Sequence, residues 1–433
     1  MPKRRIVVIG RGIAGLTAAN SSRKVDEKAD ITILSTEKHQ PYCKPSLACV
    51  VRGTASLPEE IGIYPNEILE SKKIRLLPSF EAYEIDPKKR VVKARKTGTN
   101  ETVQLEYDTS VLAVGGHDLV PQIEGTNLKG IYTLQTFDDA LKISETAKSG
   151  RGVIVVGAGP IALSIAEALL KRGIKTTMVV RSRILRTLIE PDLSLHVQKR
   201  IESEGVTCLF DAEIEKILGR KSVEGMQVSG EKIPAFMIIF ATGIRASTKL
   251  AEETGIKVGK YGIQVNEHMR TSERSIFSAG DCTETIDFTT RKRTYLPIGS
   301  IAAQEGTIAG ANAAGMDMKT DGFLRVQADN LFGMEITSIG HSSETAQALG
   351  IEVDVLEMKS SGRVKSPYGW ADKYPARVKI ITDKKRKIVG AQALGRRMAA
   401  QERYVLFKAI EEKMEEKNFV RLLKTDKELL QES

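Results

Sequence analysis

The first thirty-seven residues constrain the fold of this chain more than any other stretch. Ile6, Val7, Val8 and Ile9 follow Arg4 and Arg5 as a short unbroken apolar run, the pattern of a strand covered on both faces. The run empties into Gly10-Arg11-Gly12-Ile13-Ala14-Gly15, and Leu16, Thr17, Ala18 and Ala19 continue at helical spacing. Gly10 permits the sharp turn, Gly12 leaves room for a pyrophosphate against the backbone, and Gly15 lets helix and strand meet closely. The helix start, at Ile13 and Ala14, offers unpaired N–H groups and the positive end of a dipole. A second apolar strand covers 30–34, and Glu37 lies twenty-two residues past Gly15, where an acid accepts from ribose hydroxyls. Taken in order, these features predict a dinucleotide-binding α/β unit.

The pattern recurs. Residues 152–156 read as a strand, Gly157-Ala158-Gly159-Pro160-Ile161-Ala162 as the turn, 166–170 as its helix, and 176–180 as the second strand. Here the third glycine is Ala162, and the residue after the second strand is Arg181 rather than an acid, with Arg183 and Arg186 following. An acid there would bind a ribose 2′-hydroxyl, whereas arginine matches a 2′-phosphate. The alternative is a solvated basic loop. Two cradles in one chain imply two nucleotides face to face. We read them as FAD, tightly held, and an exchanging NADPH, with NADH as the alternative, so that hydride passes from nicotinamide to flavin.

At 433 residues the chain exceeds one core, and two to three domains are expected. Its net charge of +10 comes from 65 bases interspersed with 55 acids, which reads as a solvated surface; no nucleic-acid motif accompanies it, and no nucleic-acid partner is expected. The N-terminal apolar stretch is too short for a signal peptide, and the longest uncharged apolar segment, 233–244, is too short to span a bilayer. Four cysteines do not make a disulfide framework. A cytoplasmic protein is the default.

Between the cradles, Pro41 and Pro45 end a loop, and a helix from Pro45 is closed by Gly53. Strands are expected at 74–77, 89–94 and 109–114, the last running through Ala113 into Gly115-Gly116, with a connector around Pro121, Gly125 and Gly130. Beyond the second cradle, 238–241 is a buried strand ending at Thr242-Gly243. Residues 275–279 lead into Gly280-Asp281-Cys282, and Leu296-Pro297-Ile298 precedes a small-residue helix over 301–314. From 321 the composition changes: strands at 379–381 and 387–389 flank a charged turn. A terminal helix then carries Val405, Leu406, Ala409, Ile410 and Met414 on one face.

In this order the residues resemble the two-dinucleotide-binding flavoproteins that include the pyridine nucleotide–disulfide oxidoreductases, over nearly the whole chain. Gly10 to Gly15, Glu37, Tyr107-Asp108 leading to Gly115, and Ser278 to Cys282 are similar to the FAD half of that family. The resemblance places Asp281 at the flavin ribitol and Glu81 and Ala82 at the adenine. Arg181 and Arg186 are similar to the 2′-phosphate arginines of glutathione reductase, with one residue fewer between them. It adds Lys44, Pro45, Ala113, Gly115, Gly243, Gly280, Pro297 and Ile298 to the cofactor-binding candidates. It implies an α/β fold of two Rossmann-like domains and a C-terminal α+β dimerisation domain. The divisions are 1–118 (FAD, first part), 119–243 (NADPH), 244–320 (FAD, second part) and 321–433, through which a homodimer would form. Length and the run from 281 to 315 look most like archaeal NAD(P)H oxidases and coenzyme A disulfide reductases. The 41–45 loop looks equally like rubredoxin and ferredoxin reductases, which have no redox cysteine. Ser164 stands where the family usually has a glutamate near the nicotinamide. The chain ends Leu429 to Ser433 without the tyrosine-proline-proline segment of the coenzyme A enzymes.

Aligning Leu47 and Gly53 with those enzymes puts Pro45 at their redox cysteine, Cys43 two residues before it and Cys49 one helical turn after it. Cys43 precedes a helix N-terminus and adjoins Lys44, both of which favour a thiolate. Cys43 and Cys49 are therefore the catalytic candidates, against the alternative that both are ordinary packing residues. They could pair only with Cα atoms within about 7 Å. Cys208 and Cys282 read as packing residues, with a catalytic role for Cys282 the alternative, and His39 reads as a solvent-facing loop histidine, the alternative being that it reaches the flavin phosphates. His117, His196, His268 and His341 have no metal-ligand spacing, and no metal is expected. The function expected is an FAD-dependent NAD(P)H oxidoreductase acting on a small disulfide, persulfide or polysulfide, or oxygen. The alternative is an electron-transfer reductase for rubredoxin or ferredoxin.

Overall fold

A computed structural model describes residues 3–147, 152–359, 377–395, 400–419 and 421. The leading apolar run forms the strand Arg5–Ile9, central in a five-stranded parallel sheet. Asp30–Ser35 and then Ile74–Pro78 flank it on one side, Thr109–Leu112 and then Ile276–Ser278 on the other. Ile6, Val8, Ile31, Ile33 and Val111 are fully buried, as a sheet covered on both faces requires. Gly10 therefore opens where the strand order reverses, which is where α/β sheets bind ligands.

The helix Ile13–Val25 lies against a second helix, Gly299–Ala313. Gly306 and Gly310 make the approach possible. A Cβ on them would fall 2.2 Å from the Ala14 carbonyl oxygen and 2.0 Å from that of Ala18. Ser21 and Ser22 then donate hydrogen bonds across the contact to the Thr307 and Gly310 carbonyls, each at 2.8 Å.

The second sheet repeats this construction. Gly152–Val156 is central, with Lys175–Val179 and Thr207–Leu209 on one side and Met237–Phe240 and Ile131–Tyr132 on the other, all parallel. The chain crosses between the two sheets twice, and the crossings lie together: Gly116–Asp118 pairs antiparallel with Ile244–Ala246.

Several strands escaped the sequence reading, Phe80–Asp86 and Thr102–Glu106 among them. Phe80–Asp86 pairs antiparallel with Val91–Lys96, which in turn pairs with Thr102–Glu106. A bulge between Ala82 and Glu84 breaks the two-residue alternation, leaving Tyr83 and Glu84 exposed together.

A separate antiparallel sheet closes the described chain, in the order Val326–Leu331, Met334–Gly340, Ile388–Gly395, Arg377–Asp383, Val353–Lys359. Leu406, Ala409 and Ile410, from the helix Ala400–Glu411, are buried with Ile339, Ile380 and Ile388; Val405 and Met414 pack against them. Arg151 and the chain end from Leu429 to Ser433 lie outside the described residues. Among the described residues no helix is long and apolar enough to cross a membrane.

Candidate functional site

The two glycine turns share one geometry. Gly10 has a φ of +110°, and a Cβ there would lie 2.0 Å from the Ala113 carbonyl oxygen. A Cβ on Gly15 would lie 1.9 Å from the Gly10 carbonyl oxygen. The middle glycine differs: Gly12, at the N-terminus of the helix Ile13–Val25, has no atom within 4 Å of that position. The outer glycines thus make room for the protein itself, and Gly12 faces open space. In the second turn Gly157, with φ +134°, would meet the Ala241 carbonyl oxygen at 2.2 Å, while Gly159 is again open. Ala162 is fully buried, and its Cβ stands 3.5 Å from the position a Gly157 Cβ would take, so this turn accommodates a methyl where the first does not. Gly115 and Gly243 also face open space. Ile161, in the first turn of the helix Pro160–Lys171, is 51% exposed. It presents apolar surface beside the open backbone.

Glu37 stands at the end of the second strand of the first sheet. The Tyr42 hydroxyl donates to its carboxylate, and the Phe137 N–H donates to the Tyr42 oxygen at 3.0 Å. Arg11 is buried, with a terminal nitrogen 3.9 Å from the Glu37 carboxylate and no hydrogen-bond partner for either terminal nitrogen. Burial pulls its pKa below the ordinary guanidinium value, against the pull of Glu37. An open turn, a ribose-accepting acid and a buried donor without an acceptor fit a dinucleotide. The sequence singled out neither Arg11 nor Tyr42: the glycine motif leaves the position of Arg11 unspecified, and Tyr42 lies outside it. His39 corrects the reading of it as solvent-facing. Its Nε2 lies 2.7 Å from Asp138 and its ring meets Phe137 edge-on, because the acidic first turn of the helix Phe137–Thr146 captures it.

Lys44, Tyr295 and Glu305, from three segments of the chain, act on Asp281. Burial raises the Asp281 pKa and the charge of Lys44 opposes the rise. Lys44 Nζ reaches Gln135 at 3.4 Å, and Gln135 donates to Asp118 at 2.8 Å. The Tyr295 hydroxyl donates to the Asp281 carbonyl at 3.0 Å. Gly280, with φ +82°, packs on Ala14 so closely that a Cβ would fall 2.8 Å from its Cβ. Beneath the loop lies Glu305, which accepts the Gly280 N–H at 2.7 Å and the Thr285 hydroxyl at 2.8 Å. Burial pushes its pKa up to about 8. Pro297 is exposed and Ile298 half-buried at the start of the helix Gly299–Ala313. Glu81, exposed, and Ala82, half-buried, stand on the bulged strand Phe80–Asp86.

Residues 4–306 match the family model for pyridine nucleotide-disulphide oxidoreductases. The chain belongs to that family. It is an FAD-dependent NAD(P)H oxidoreductase, with the two parallel sheets carrying its nucleotide turns. It is 32% identical to an NADH oxidase of Methanocaldococcus jannaschii over 401 residues, 92% of this chain and 89% of that one. It is 29% identical to a CoA-dependent NAD(P)H sulfur oxidoreductase of Pyrococcus furiosus, over 91% of this chain and 89% of the relative. The solved NAD-dependent persulfide reductase from A. fulgidus superposes with a TM-score of 0.88 at 30% identity, over 95% of this chain and 77% of that one.

In this oxidoreductase the four cysteines are free and differ in setting. The segment expected as one helix from Pro45 is a 3-10 turn, Lys44–Ser46, followed by the α-helix Leu47–Arg52, which Gly53 ends at φ 83°. Pro45 stands exposed in that turn. Cys43 precedes the turn, half-buried, its N–H bonded to the Ile61 carbonyl at 2.8 Å, and Cys49 is exposed on the α-helix. Burial pushes the Cys208 thiol up to about 12 and raises that of fully buried Cys282. Among the described residues no group of three or more His, Cys, Asp or Glu gathers as for a metal.

The arginines after the strand Lys175–Val179 are also unequal. Arg181 is exposed, and no hydrogen bond or ion pair holds it among the described residues. Arg183 donates to the Ile189 and Arg186 carbonyls, at 2.7 and 2.8 Å, and to Glu344 at 2.9 Å. Arg186 Nε lies 3.2 Å from the other Glu344 oxygen. Ser164, at the family's glutamate position, bonds back to the Pro160 carbonyl at 2.9 Å within its helix.

Proposed function

We propose that this oxidoreductase uses NADPH in preference to NADH to reduce a small sulfur compound (a disulfide, persulfide or polysulfide) through Cys43 or Cys49. The observation that carries this reading is that Cys43 adjoins Lys44, whose charge acts on Asp281 in the loop Gly280-Asp281-Cys282. The named activities of the Pyrococcus furiosus and A. fulgidus relatives support a sulfur acceptor.

Bound FAD supplies the relay by which an electron pair from the nicotinamide reaches the acceptor. The protein's own parts are positional. Gly12 and Gly159 leave backbone N–H edges open to phosphates, Glu37 accepts from ribose, and Arg181 and Arg186 recognise a 2′-phosphate. A cysteine thiolate attacks one sulfur of the substrate, forming a mixed disulfide and expelling the other sulfur as a thiolate; the electron pair then cleaves the mixed disulfide. Division of the chain at 119, 244 and 321, dimerisation through 321–433 and a cytoplasmic setting belong to the same proposal.

Cys43→Ser and Cys49→Ser variants test it. One of them abolishes NADPH-driven reduction of coenzyme A disulfide or polysulfide while flavin reduction by NADPH persists. If neither does, the thiol step is wrong, and transfer to a small redox protein becomes the better reading.

A further inference from the structure

We infer that Glu344 sets how strongly this enzyme prefers NADPH over NADH, by holding Arg186, one of the two proposed 2′-phosphate arginines, together with its neighbour Arg183, from the C-terminal part of the chain. The inference rests on the proposed NADPH site and deepens it.

Glu344 lies 161 residues from Arg183, in the first turn of the helix Ser343–Ala348. Its two carboxylate oxygens divide between two guanidinium groups: one accepts from Arg183 at 2.9 Å, the other stands 3.2 Å from Arg186 Nε. The pairing is built from both sides. Arg183 is tied to the backbone of its own loop through Ile189 and Arg186. The helix of Glu344 is tied down by Ser343, whose N–H and hydroxyl both donate to buried Glu190, at 2.8 and 2.6 Å. Gln392 of the C-terminal sheet completes the anchor, accepting the Glu190 N–H at 2.6 Å and donating to its carboxylate at 3.1 Å. Glu344 is thus held against the arginines by bonds that do not depend on a bound nucleotide.

A 2′-phosphate is a bidentate acceptor of the kind Glu344 already supplies. Its arrival at Arg186 must displace the carboxylate or bring a second negative charge beside it. Either event opposes the phosphorylated nucleotide and leaves the unphosphorylated one untouched. Arg181, which no carboxylate holds, remains to favour NADPH. The site therefore discriminates less than Arg181 and Arg186 would without the carboxylate.

The test uses the FAD-loaded protein and calorimetric binding of 2′,5′-ADP against 5′-ADP, with kcat/KM for NADPH and NADH measured in parallel. Glu344→Gln is expected to raise the preference for 2′,5′-ADP by about fivefold at low salt. Glu344→Ala is expected to move it in the same direction, and the gain should vanish in an Arg186→Ala background. An unchanged or reduced preference in Glu344→Gln overturns the inference. If the unaltered protein binds 2′,5′-ADP no better than 5′-ADP, and Arg181→Ala changes nothing, the NADPH reading itself falls and takes the inference with it.

Discussion

The Glu305 carboxylate accepts the Gly280 backbone N–H at 2.7 Å, directly beneath the loop that carries Asp281. Helix Gly299–Ala313 supplies Glu305, and the edge strand Ile276–Ser278 leads into Gly280. One buried acid therefore couples the helix packed on the first nucleotide turn to the loop assigned to the flavin ribitol.

The coupling makes stability depend on pH. Burial raises the Glu305 pKa from an ordinary 4.5 to about 8, so the native protein binds a proton that the unfolded chain has released between those values. Stability is full below about pH 4.5 with respect to this group and falls as pH rises towards 8. Glu305→Gln, a neutral isostere, removes that decline: its Tm should exceed that of the unaltered protein at about pH 9 and converge with it near pH 5. Parallel melting curves across that range would refute the assignment. Glu305→Ala leaves the Gly280 N–H unsatisfied and should cost about 2–4 kcal/mol near pH 5, a cost that shrinks as pH rises towards 8 because the unaltered protein itself loses stability there.

The glycines separate packing from binding. Gly15→Ala forces a methyl into the Gly10 carbonyl and should destabilise the apoprotein by at least about 2 kcal/mol. Gly12→Ala and Gly159→Ala meet no atom and have ordinary backbone angles, so both should leave apoprotein stability within about 0.5 kcal/mol. Yet Gly12→Ala should lose flavin on dialysis, and Gly159→Ala should raise KM for NADPH. Chemical denaturation and flavin absorbance report the two effects independently.

Arg11 predicts opposite movements in one variant. Its buried guanidinium has terminal nitrogens without a hydrogen-bond partner, and Glu37 comes no nearer than 3.9 Å, so Arg11→Met, which removes the cost of burying the charge, should stabilise the apoprotein, by about 1–3 kcal/mol. The same change should weaken FAD binding. Apoprotein destabilisation with unchanged FAD affinity would show that Arg11 serves the fold alone.

The thiols should divide by setting. Brief treatment of the native protein with iodoacetamide should label exposed Cys49 and half-buried Cys43. Cys282 is fully buried, and burial raises the pKa of both it and Cys208, so both should be spared. Peptide mass mapping reads the pattern, and early modification of Cys282 would contradict its placement.

Both parallel sheets were legible in the sequence because their signals are local. Ile6 to Ile9 and Val153 to Val156 are unbroken apolar runs, and each is followed at once by its glycine turn. Bulged Phe80–Asp86 was not, since its alternation fails at Tyr83 and Glu84. In the candidate site, residues expected from the glycine pattern and residues revealed only by folding differ in how far their partners lie along the chain. Glu305 finds Gly280 25 residues away, His39 finds Asp138 99 away and Arg183 finds Glu344 161 away. A motif has no means of naming such partners. Arg11 was hidden differently: it sits within the motif, at a position where the motif is silent.

Anaerobic titration of the FAD-reconstituted protein with NADPH tests the whole account most directly. Bleaching of the yellow flavin band by stoichiometric NADPH, and return of the band when a disulfide or polysulfide is then added to accept the electron pair, is the predicted result. A polypeptide that stays colourless after incubation with FAD, or a flavin band that NADPH leaves unchanged, would contradict it.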